Sequence, residues 1–443
     1  MKSYQLYKQS NISELGPIPE HWETAKITRI VNSHKQGYYT KSDYGNNGIK
    51  LLRITDIKDN SEIDTTNCPH LELSENEFKE FSVLPNDFVF ARSGTVGRFG
   101  IVRTREKVVF ASYLIRFRFR ENNHTEFLKY FFLSHYFKES LKSDIHGGAN
   151  QNIHAENIKN QYIIIPTYPE QKIISNFLDK KTAQIDSLIE KKKRLIELLK
   201  EYRTAIINHA VTKGLDPNVK MKDSGIEWIG QIPEHWEVVK HKRFVDFKNG
   251  VNFTAEKKGK GLLMLDVLNM YGESHFVDFR ECYRVDIDVP KDHILTDNDF
   301  LFVRSSLKKE GVGWTSVFNG YKEPVSYCGF IIRSRLKNTQ INPSYLAYFF
   351  RSESGRNSII SESNTVTITN LSQESLGDVI VTLPPYKEQE TIANSLTVQC
   401  ELLDSSIKKQ TGLITGLLEY RDAIISDTVT GKIDVRDYAE QIS

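Results

Sequence analysis

Two short segments combine arginines, hydroxyls and glycines just where a predicted strand ends. The first, residues 91–98, is Ala-Arg-Ser-Gly-Thr-Val-Gly-Arg, and the second, residues 303–309, is Val-Arg-Ser-Ser-Leu-Lys-Lys. Cations, hydroxyls and a flexible backbone are the groups that contact DNA phosphates and base edges. A solvated hairpin is the better explanation of either segment alone, but recurrence at equivalent places makes DNA contact an equally good one. The candidates are Arg92, Ser93, Gly94, Thr95 and Arg98, and then Arg304, Ser305, Ser306, Lys308 and Lys309.

Amides and hydroxyls cluster in a second pair of loops. Side-chain amides pair bidentately with adenine, but such clusters also cap helices, and the sequence leaves both interpretations open. The candidates are Asn150, Gln151, Asn152, Thr367, Thr369 and Asn370, together with Arg53 in an early predicted strand. Two other basic runs, 116–120 and 191–194, fit a solvated strand face and a solvated helix face at least as well as a DNA contact.

The sequence carries no recognisable catalytic motif. It has no phosphate-binding GxxxxGK[ST] run, no GxGxxG order and no HExxH-type metal spacing. Residues 383–386, Leu-Pro-Pro-Tyr, resemble the Asn/Asp-Pro-Pro-Tyr loop of amino-methyltransferases, but Leu383 cannot hold a target amino group as the polar residue does. We therefore predict a non-catalytic chain that binds no metal and no cofactor, and we interpret residues 383–386 as a bend before a helix.

The chain is a tandem duplication. Residues 16–23, Gly-Pro-Ile-Pro-Glu-His-Trp-Glu, return at 230–237 as Gly-Gln-Ile-Pro-Glu-His-Trp-Glu. A period this long indicates two domain-sized units rather than a solenoid. We predict a docking clasp in each copy, with the tryptophan buried and the histidine hydrogen-bonded. Its residues are Pro19, Glu20, His21 and Trp22, and then Pro233, Glu234, His235 and Trp236.

Two long heptad-patterned helices are the elements that must position these segments. The pattern spans 169–211 and returns, shifted by 218 residues, over 387–429. Forty helical residues extend about 60 Å. The predicted apolar stripe is Ile174, Leu178, Ile185, Leu188, Leu195, Leu199, Tyr202 and Ile206, with Ile392, Leu396, Leu403, Ser406, Leu413, Leu417, Tyr420 and Ile424 in the second copy. Polar breaks fall at Lys181, Lys192, Gln399 and Gln410.

Between clasp and helix lies a region that differs between the copies. Short strands predominate, followed by one predicted helix in each copy, residues 126–142 and 344–357. The fold class is therefore α+β, with two tandem, mostly β domains that share a scaffold but contact different ligands. The predicted boundaries are 1–165 (first mostly β domain, clasp 16–23), 166–229 (central helix and connector), 230–383 (second mostly β domain) and 384–443 (C-terminal helix and tail).

Composition sets the remaining bounds. The net charge of +2 gives no global signature of nucleic-acid binding, so any contact must be local. The four cysteines are scattered without CxxC spacing, which favours a reducing compartment. No signal peptide or run of about 18 apolar residues is present, so we expect a cytoplasmic protein.

Taken together, these motifs resemble the specificity subunit of type I restriction–modification systems. The resemblance rests on the doubled clasp, the doubled Pro-Xaa-Tyr-Xaa-Glu-Gln entry into a long helix, and the doubled Tyr-Arg-Xaa-Ala-Ile-Ile at 202–207 and 420–425. It implies two target-recognition domains, each reading half of a bipartite, asymmetric double-stranded DNA site. It further implies helices paired as an antiparallel coiled-coil spacer, in a pseudo-twofold arrangement. Residues Tyr202, Arg203, Tyr420 and Arg421 join the clasps as docking or structural candidates.

The resemblance also implies a division of labour in host defence. Two modification subunits would dock on the conserved segments and carry S-adenosylmethionine and adenine methylation of DNA. Two restriction subunits would add ATP- and magnesium-dependent translocation and cleavage. Two other hypotheses stay open: a protein-only adaptor whose duplicated β domains bind polypeptide, and an enzyme with a cryptic nuclease or methyltransferase site.

Overall fold

The structure is a computed structural model, and it describes residues 2–10, 12, 15–40, 45, 47–93, 97–143, 152–272, 274–337, 340–365 and 369–441. The chain divides into two compact units. Unit 1 comprises residues 1–192 and 412–443, and unit 2 comprises residues 193–411. Each unit thus takes its own β region together with one part of each long helix. No helix in the described part of the chain is both long and apolar enough to cross a membrane.

Unit 1 is built on short strands. A four-stranded antiparallel sheet has the order β4-β10-β7-β8, and a three-stranded sheet has the order β6-β5-β9, in which β5 and β9 run parallel. The strands are β1 (Tyr7–Gln9), β2 (Pro17–Pro19), β3 (Glu23–Lys26), β4 (Val31–Gln36), β5 (Ile49–Leu52), β6 (His70–Leu71), β7 (Phe88–Ala91), β8 (Phe99–Ile101), β9 (Val108–Phe110), β10 (Leu114–Phe119) and β11 (Tyr162–Ile165).

Unit 2 repeats this topology. Its four-stranded sheet has the order β15-β22-β18-β20, and its three-stranded sheet, β17-β16-β21, again contains one parallel pair. The strands are β12 (Met221–Asp223), β13 (Gln231–Pro233), β14 (Glu237–Lys240), β15 (Val245–Asn249), β16 (Lys258–Leu265), β17 (Tyr283–Val285), β18 (Phe300–Val303), β19 (Ser305–Ser306), β20 (Thr315–Val317), β21 (Val325–Tyr327), β22 (Ile331–Leu336), β23 (Asn364–Thr365), β24 (Thr369–Asn370) and β25 (Ile380–Leu383). The duplicated scaffold persists where the two sequences agree only weakly.

The helices are α1 (Glu75–Phe81), α2 (Thr125–Leu133), α3 (His135–Ser143), α4 (Ala155–Asn160), α5 (Tyr168–Lys213), α6 (Pro343–Arg351), α7 (Glu353–Ser361), α8 (Gln373–Asp378) and α9 (Tyr386–Val429). The prediction of one helix over 126–142 and one over 344–357 was wrong, because each is two helices broken at a serine. Ser134 Oγ donates to Phe131 O and accepts from Phe137 N, while Ser352 Oγ donates to Phe349 O and accepts from Gly355 N. A serine that closes one helix and caps the next competes with continuous helical bonding.

The α+β class, the tandem β domains and the pairing of α5 with α9 are confirmed. In unit 1 the early residues of α5, including Ile174 and Ile185, share a core with Ile424 and Val429 of α9. In unit 2 the late residue Ile207 of α5 shares a core with Ile392 and Leu396 of α9. Early residues of one helix meet late residues of the other in both units, so the pairing is antiparallel.

In the middle of the helices only part of the predicted stripe is shielded: Leu199, Leu403 and Leu417 are half-buried, whereas the positions that alternate with them are exposed. Leu188, Leu195 and Tyr202 are exposed, as are Ser406, Leu413 and Tyr420. Two heptad registers coexist on these helices, and periodicity alone cannot choose between them. The shielded positions between 185 and 206 of α5 are Ile185, Asp186, Ile189, Lys192, Ile196, Leu199, Arg203 and Ile206, and those between 400 and 421 of α9 are Cys400, Leu403, Ile407, Gln410, Ile414, Leu417 and Arg421.

Candidate nucleic-acid interface

In unit 1, two segments that the sequence analysis treated separately meet at the end of β7. The Arg92 amide donates to Tyr113 O at 2.8 Å, and the Arg92 carbonyl accepts from Ile153 N at 2.7 Å. Ser93 forms an antiparallel bridge with Asn152. Backbone pairing therefore extends the sheet past β7 and places the arginine–serine segment beside the amide segment. We call Arg92, Ser93, Tyr113 and Asn152 the candidate edge of unit 1.

The same arrangement occurs in unit 2. The Arg304 amide donates to Phe330 O at 2.8 Å, and the Arg304 carbonyl accepts from Leu371 N at 2.8 Å. Strand β19 pairs with β24, and Ser305 Oγ donates to Asn370 Oδ1 at 2.6 Å. Residues Arg304, Ser305, Phe330 and Asn370 form the candidate edge of unit 2. Two polar loops about 60 residues apart in sequence thus converge in each unit.

A cleft borders the candidate edge of unit 1. It has a volume of about 250 Å³ and is lined by His34, Lys35, Gln36, Arg92, Ile115, His154 and Ala155. Burial, together with the positive charge of Lys159, lowers the pKa of His34. A neutral imidazole has both a donor and an acceptor, which suits it to contact base edges. The cleft therefore combines one guanidinium with imidazole and amide groups.

In unit 2, the cations lie on a loop that follows the edge. Lys308 and Lys309 are exposed, and Leu307 beside them is 85 % exposed. Arg356 holds the loop from beneath, since its Nη2 donates to Glu310 O at 2.9 Å and to Val312 O at 2.6 Å. Its guanidinium carbon lies 5.6 Å from the centre of the Trp314 ring. Two exposed lysines thus lie on a loop whose backbone is anchored.

Other predicted contact residues are engaged internally. Arg53 forms a fork with Asp56, with Nη2–Oδ1 at 2.9 Å. Arg98 donates to Ile57 O and lies 3.5 Å from Asp59. Thr369 is buried, whereas Ser306 is half-buried. Gly94, Thr95, Asn150, Gln151 and Thr367 lie outside the described residues. DNA contact by any of these residues stays a prediction.

The alternating basic strand at 116–120 is not a solvated face. Arg116 is buried, and Arg118 Nε donates to Asp87 Oδ1 at 2.9 Å. Unit 2 repeats the pair, with Arg335 Nε donating to Asp299 Oδ1 at 2.7 Å. Burial, followed by the charge of Arg118, lowers the pKa of Arg116. The sequence analysis missed this structural role, although an aspartate just before β7 and β18 was an available signal.

The tryptophan burial and the histidine hydrogen bonds predicted for the clasp are observed in both units, and docking of a partner there stays a prediction. Trp22 and Trp236 are fully buried. His21 Nε2 and Trp22 Nε1 lie 2.8 and 3.3 Å from Glu170 Oε1. In unit 2, His235 Nε2 and Trp236 Nε1 lie 2.7 and 3.1 Å from the two oxygens of Glu388. The glutamate of the Pro-Xaa-Tyr-Xaa-Glu-Gln motif thus ties the first turn of each long helix to its clasp.

The other clasp positions divide by exposure. Pro19 and Pro233 are buried, whereas Glu20 and Glu234 are exposed. Burial opposes ionisation of Glu170, but hydrogen bonds from His21, Thr167 and Trp22 outweigh it and lower its pKa. Gly214 and Gly431 follow the two long helices with φ values of +75° and +78°, and an added Cβ at Gly431 would lie 2.8 Å from the Trp22 ring. Glycine is therefore required where the chain leaves α9 against the clasp.

The bend before α9 also proves structural. Gln389 Nε2 donates to Pro384 O at 2.8 Å, and Gln171 Nε2 donates to Pro166 O at 3.0 Å at the equivalent bend before α5. The glutamine of the motif therefore caps the bend that delivers the chain to each long helix. Across the described part of the chain, no three His, Cys, Asp or Glu side chains converge as a metal site requires.

Comparison with known proteins decides the family. The profile of the type I restriction modification DNA specificity domain matches residues 19–198 and again residues 233–411. The chain belongs to this family. It is a specificity subunit, and the function of such subunits is DNA recognition.

Individual relatives of this specificity subunit match along nearly their whole length. The type I restriction enzyme EcoKI specificity subunit of Escherichia coli K12 is 26 % identical over 96 % of this chain and 92 % of its own. The StySPI specificity subunit of Salmonella potsdam is 23 % identical, with the same coverage. The HsdS subunit of Thermoanaerobacter tengcongensis has a TM-score of 0.56 at 16 % identity, covering 94 % of this chain and 98 % of that one.

A second solved structure resembles this specificity subunit more closely in fold. It is a chain from a study of complex assembly and conformational transition of the type I R-M system. Its TM-score is 0.69 at 16 % identity, with coverage of 94 % of this chain and 99 % of that chain. These structural likenesses establish the shared fold.

Proposed function

We propose that this specificity subunit reads a bipartite, asymmetric site in double-stranded DNA, with one half-site for each unit. The observation that carries the proposal is the repeated candidate edge. Both edges end the same strand of the same four-stranded sheet, and both present an arginine, a serine and an asparagine. Their surroundings differ, which supports recognition of two unlike half-sites.

The difference between the edges is chemical. Unit 1 adds His34, Gln36 and His154 in a cleft, whereas unit 2 adds Lys308 and Lys309 on an exposed loop. Imidazole and amide groups select bases through paired donors and acceptors. Lysines on an exposed loop contribute charge toward phosphates, which positions the protein without selecting sequence. We infer that unit 1 relies more on the cleft and unit 2 more on its loop.

We also propose that α5 and α9 set the spacer between the half-sites. Asp186 and Arg203 in α5 correspond to Asp404 and Arg421 in α9 at the same offset of 218 that relates the two copies. Arg421 lies 3.4 Å from Asp186 in unit 1, and Arg203 lies 3.1 Å from Asp404 in unit 2. Each unit therefore repeats one helix-to-helix register, and a fixed register suits a fixed spacing.

The outer faces of the helices are proposed to dock two modification subunits. In unit 1, exposed Leu188 lies on a face of α5 that also carries Lys180, Ala183, Gln184, Ser187 and Lys191. In unit 2, Leu195, Leu198 and Tyr202 are exposed on α5. Exposed apolar side chains at helical spacing mark a surface for another protein. Glu20, His21, Glu234 and His235 of the clasps are the polar candidates for the same docking.

In this proposal the chemistry resides on the partners. The modification subunits hold S-adenosylmethionine and methylate adenine, and two restriction subunits use ATP and magnesium to translocate and cleave. The specificity subunit contributes recognition and spacing. A chain near electrical neutrality fits partners that supply part of the phosphate neutralisation.

An electrophoretic binding assay tests the proposal against the adaptor hypothesis. The specificity subunit is assembled with its modification subunits and titrated with a random-sequence duplex library at two salt concentrations. Sequencing of the bound fraction is expected to yield a two-part motif whose enrichment survives at the higher salt. An adaptor would enrich no sequence at either salt, and enrichment of a single undivided motif would contradict one half-site per unit.

A further inference from the structure

We infer that Tyr113 and Phe330 are base-contacting residues, each pairing with the arginine opposite it to form a two-part base reader. The inference rests on the proposed function, because it deepens the assignment of the two candidate edges. It names an aromatic ring in each half-site contact, and it assigns the ring to bases rather than to phosphate.

The two rings occupy the same place in the fold. Leu114 pairs with Ala91 at the end of the ladder between β10 and β7, and the next residues outward are Tyr113 and Arg92. Ile331 likewise pairs with Val303, and the next residues outward are Phe330 and Arg304. Residues directly opposite in an antiparallel ladder place their side chains on the same face, roughly 5 Å apart at Cβ. Each candidate edge therefore places an aromatic residue opposite an arginine along the paired backbone.

Both rings are exposed where neighbouring aromatics are buried. Tyr113 is 62 % exposed and Phe330 is 59 % exposed, whereas Phe90 and Phe302 in the adjacent strands are fully buried. An exposed aromatic side chain adds nothing to the core of its own unit. A single exposed aromatic side chain needs no special explanation, but exposure at the equivalent position of both units suits a ligand on the outside.

The duplication shows which of these aromatics is retained. Residues 113–118 and 330–335 align at an offset of 217, so buried Phe117 corresponds to Ser334 while exposed Tyr113 corresponds to Phe330. This core position carries a ring in one copy only, whereas the solvent-facing position carries one in both. Packing accounts for rings kept at core positions such as Phe90 and Phe302, but it does not account for a ring kept at an exposed position, which points to a shared contact.

The chemistry of the pair suits a base. Arginine donates two parallel hydrogen bonds to guanine O6 and N7, and an adjacent ring packs on a base face or a thymine methyl group. Tyr113 also carries a hydroxyl that can pair with a base edge, whereas Phe330 offers apolar contact alone. The ring of unit 2 is therefore expected to discriminate by shape and methyl contact.

The test uses the specificity subunit assembled with its modification subunits, and a duplex carrying the site mapped from methylated adenines. Two further duplexes have one or the other half-site scrambled. Fluorescence anisotropy gives the Kd of Tyr113→Ala, Phe330→Ala, Arg92→Ala and Arg304→Ala. Tyr162→Ala, which removes another exposed tyrosine from β11, is the matched control.

We expect Tyr113→Ala to weaken binding to the intact site about tenfold, as loss of one base–aromatic contact does. For Tyr113→Ala, the difference in Kd between the intact duplex and the duplex with one particular half-site scrambled should shrink, while the difference for the other half-site stays unchanged. For Phe330→Ala, the two half-sites should exchange these roles. Tyr113→Phe should retain most of the affinity, because the ring is kept. Tyr162→Ala should match the unchanged protein.

Three outcomes overturn the inference in different ways. If both arginine variants lose affinity while both aromatic variants bind normally, the rings do not contact bases and the candidate edges stand. If all four variants bind normally, the assignment of the candidate edges to DNA contact is rejected as well. Loss of assembly with the modification subunits in the aromatic variants, with normal DNA affinity in complexes that do assemble, would assign the rings to a protein contact and reject the inference.

Discussion

Arg203 Nε of α5 lies 3.1 Å from Asp404 Oδ1 of α9, and the duplication writes the same pair a second time. The second pair, Arg421 with Asp186, lies in unit 1 at 3.4 Å. In an antiparallel pairing, the aspartate of each copy meets the arginine of the other. Each long helix is therefore matched to the long helix of the other copy in the same chain, and not to a second molecule of its own copy. The Tyr-Arg motif near the end of each helix acquires a structural meaning, since its arginine fixes register while its tyrosine stays exposed.

Charge reversal tests that register. Arg203→Asp alone places two carboxylates together and should destabilise unit 2, and Arg203→Asp combined with Asp404→Arg should restore stability. Because Asp404 is more than half exposed, the coupling should be small, below about 1 kcal/mol, and weaker at high salt. Urea unfolding at two salt concentrations measures it. The control is Arg194→Asp, whose partner Glu197 lies in the same helix; restoration by Asp404→Arg there would contradict the pairing.

The clasp glutamate predicts an acid sensitivity. Hydrogen bonds in the folded state lower the pKa of Glu170, so its contribution to stability is present above its unfolded pKa and is lost as pH falls through the folded pKa. Glu170→Ala should destabilise unit 1 by about 1–3 kcal/mol at pH 7, because the buried Trp22 N–H loses its acceptor.

Glu170→Gln separates charge from hydrogen bonding. The amide oxygen can still accept from Trp22, so the loss at pH 7 should be smaller than for alanine. Urea unfolding followed by tryptophan fluorescence from pH 7 to pH 3 should show a shallower decline for Glu170→Gln than for the unchanged chain. Parallel curves would mean that Glu170 carries no linked proton.

The lysine loop of unit 2 should contribute charge rather than selectivity. Lys308→Ala with Lys309→Ala should weaken binding to specific and random duplexes alike. The slope of log K against log salt should fall by about 0.9 for each phosphate contact removed. Binding isotherms at four salt concentrations measure the slope. Replacement of Lys242, an exposed lysine paired with Asp378, is the control; a change in sequence preference without a change in slope would reject the phosphate role.

Lengthening the helices tests the spacer. Four residues inserted after Glu190 and after its equivalent Lys408 add about 6 Å of helix, or roughly two base pairs of DNA. The mapped site should keep both half-sites and gain spacer length. The same four residues inserted into the connector after Asp216 should leave the spacer unchanged. An unaltered spacer in the helix variant would show that the length of α5 and α9 does not set the spacer length.

Some of this architecture was predictable because the sequence states it twice. The doubled Pro-Glu-His-Trp segment predicted buried Trp22 and Trp236 with bonded histidines, and the structure confirms both. The doubled heptads predicted a pair of long helices. Comparison of the two copies within this one chain distinguishes the shared scaffold from the variable surface, and no second sequence is needed.

The remainder depends on tertiary pairing that local patterns do not contain. Leu188, Leu195 and Tyr202 satisfy a heptad as well as the shielded residues do, and only the partner helix chooses between the two faces. Ser134 and Ser352 look like helix residues until their hydroxyls are seen to cap the following helix. The meeting of Ser93 with Asn152 joins residues 59 positions apart, and no periodicity announces such a contact.

The central claim is that each unit reads one half-site, and a domain replacement tests it most directly. Residues 30–160 are exchanged for the equivalent region of another family member, the chain is expressed with its modification subunits, and methylated adenines are mapped by sequencing. The account predicts that one half-site changes while the other half-site and the spacer are kept. A change in both half-sites, or in neither, would contradict it.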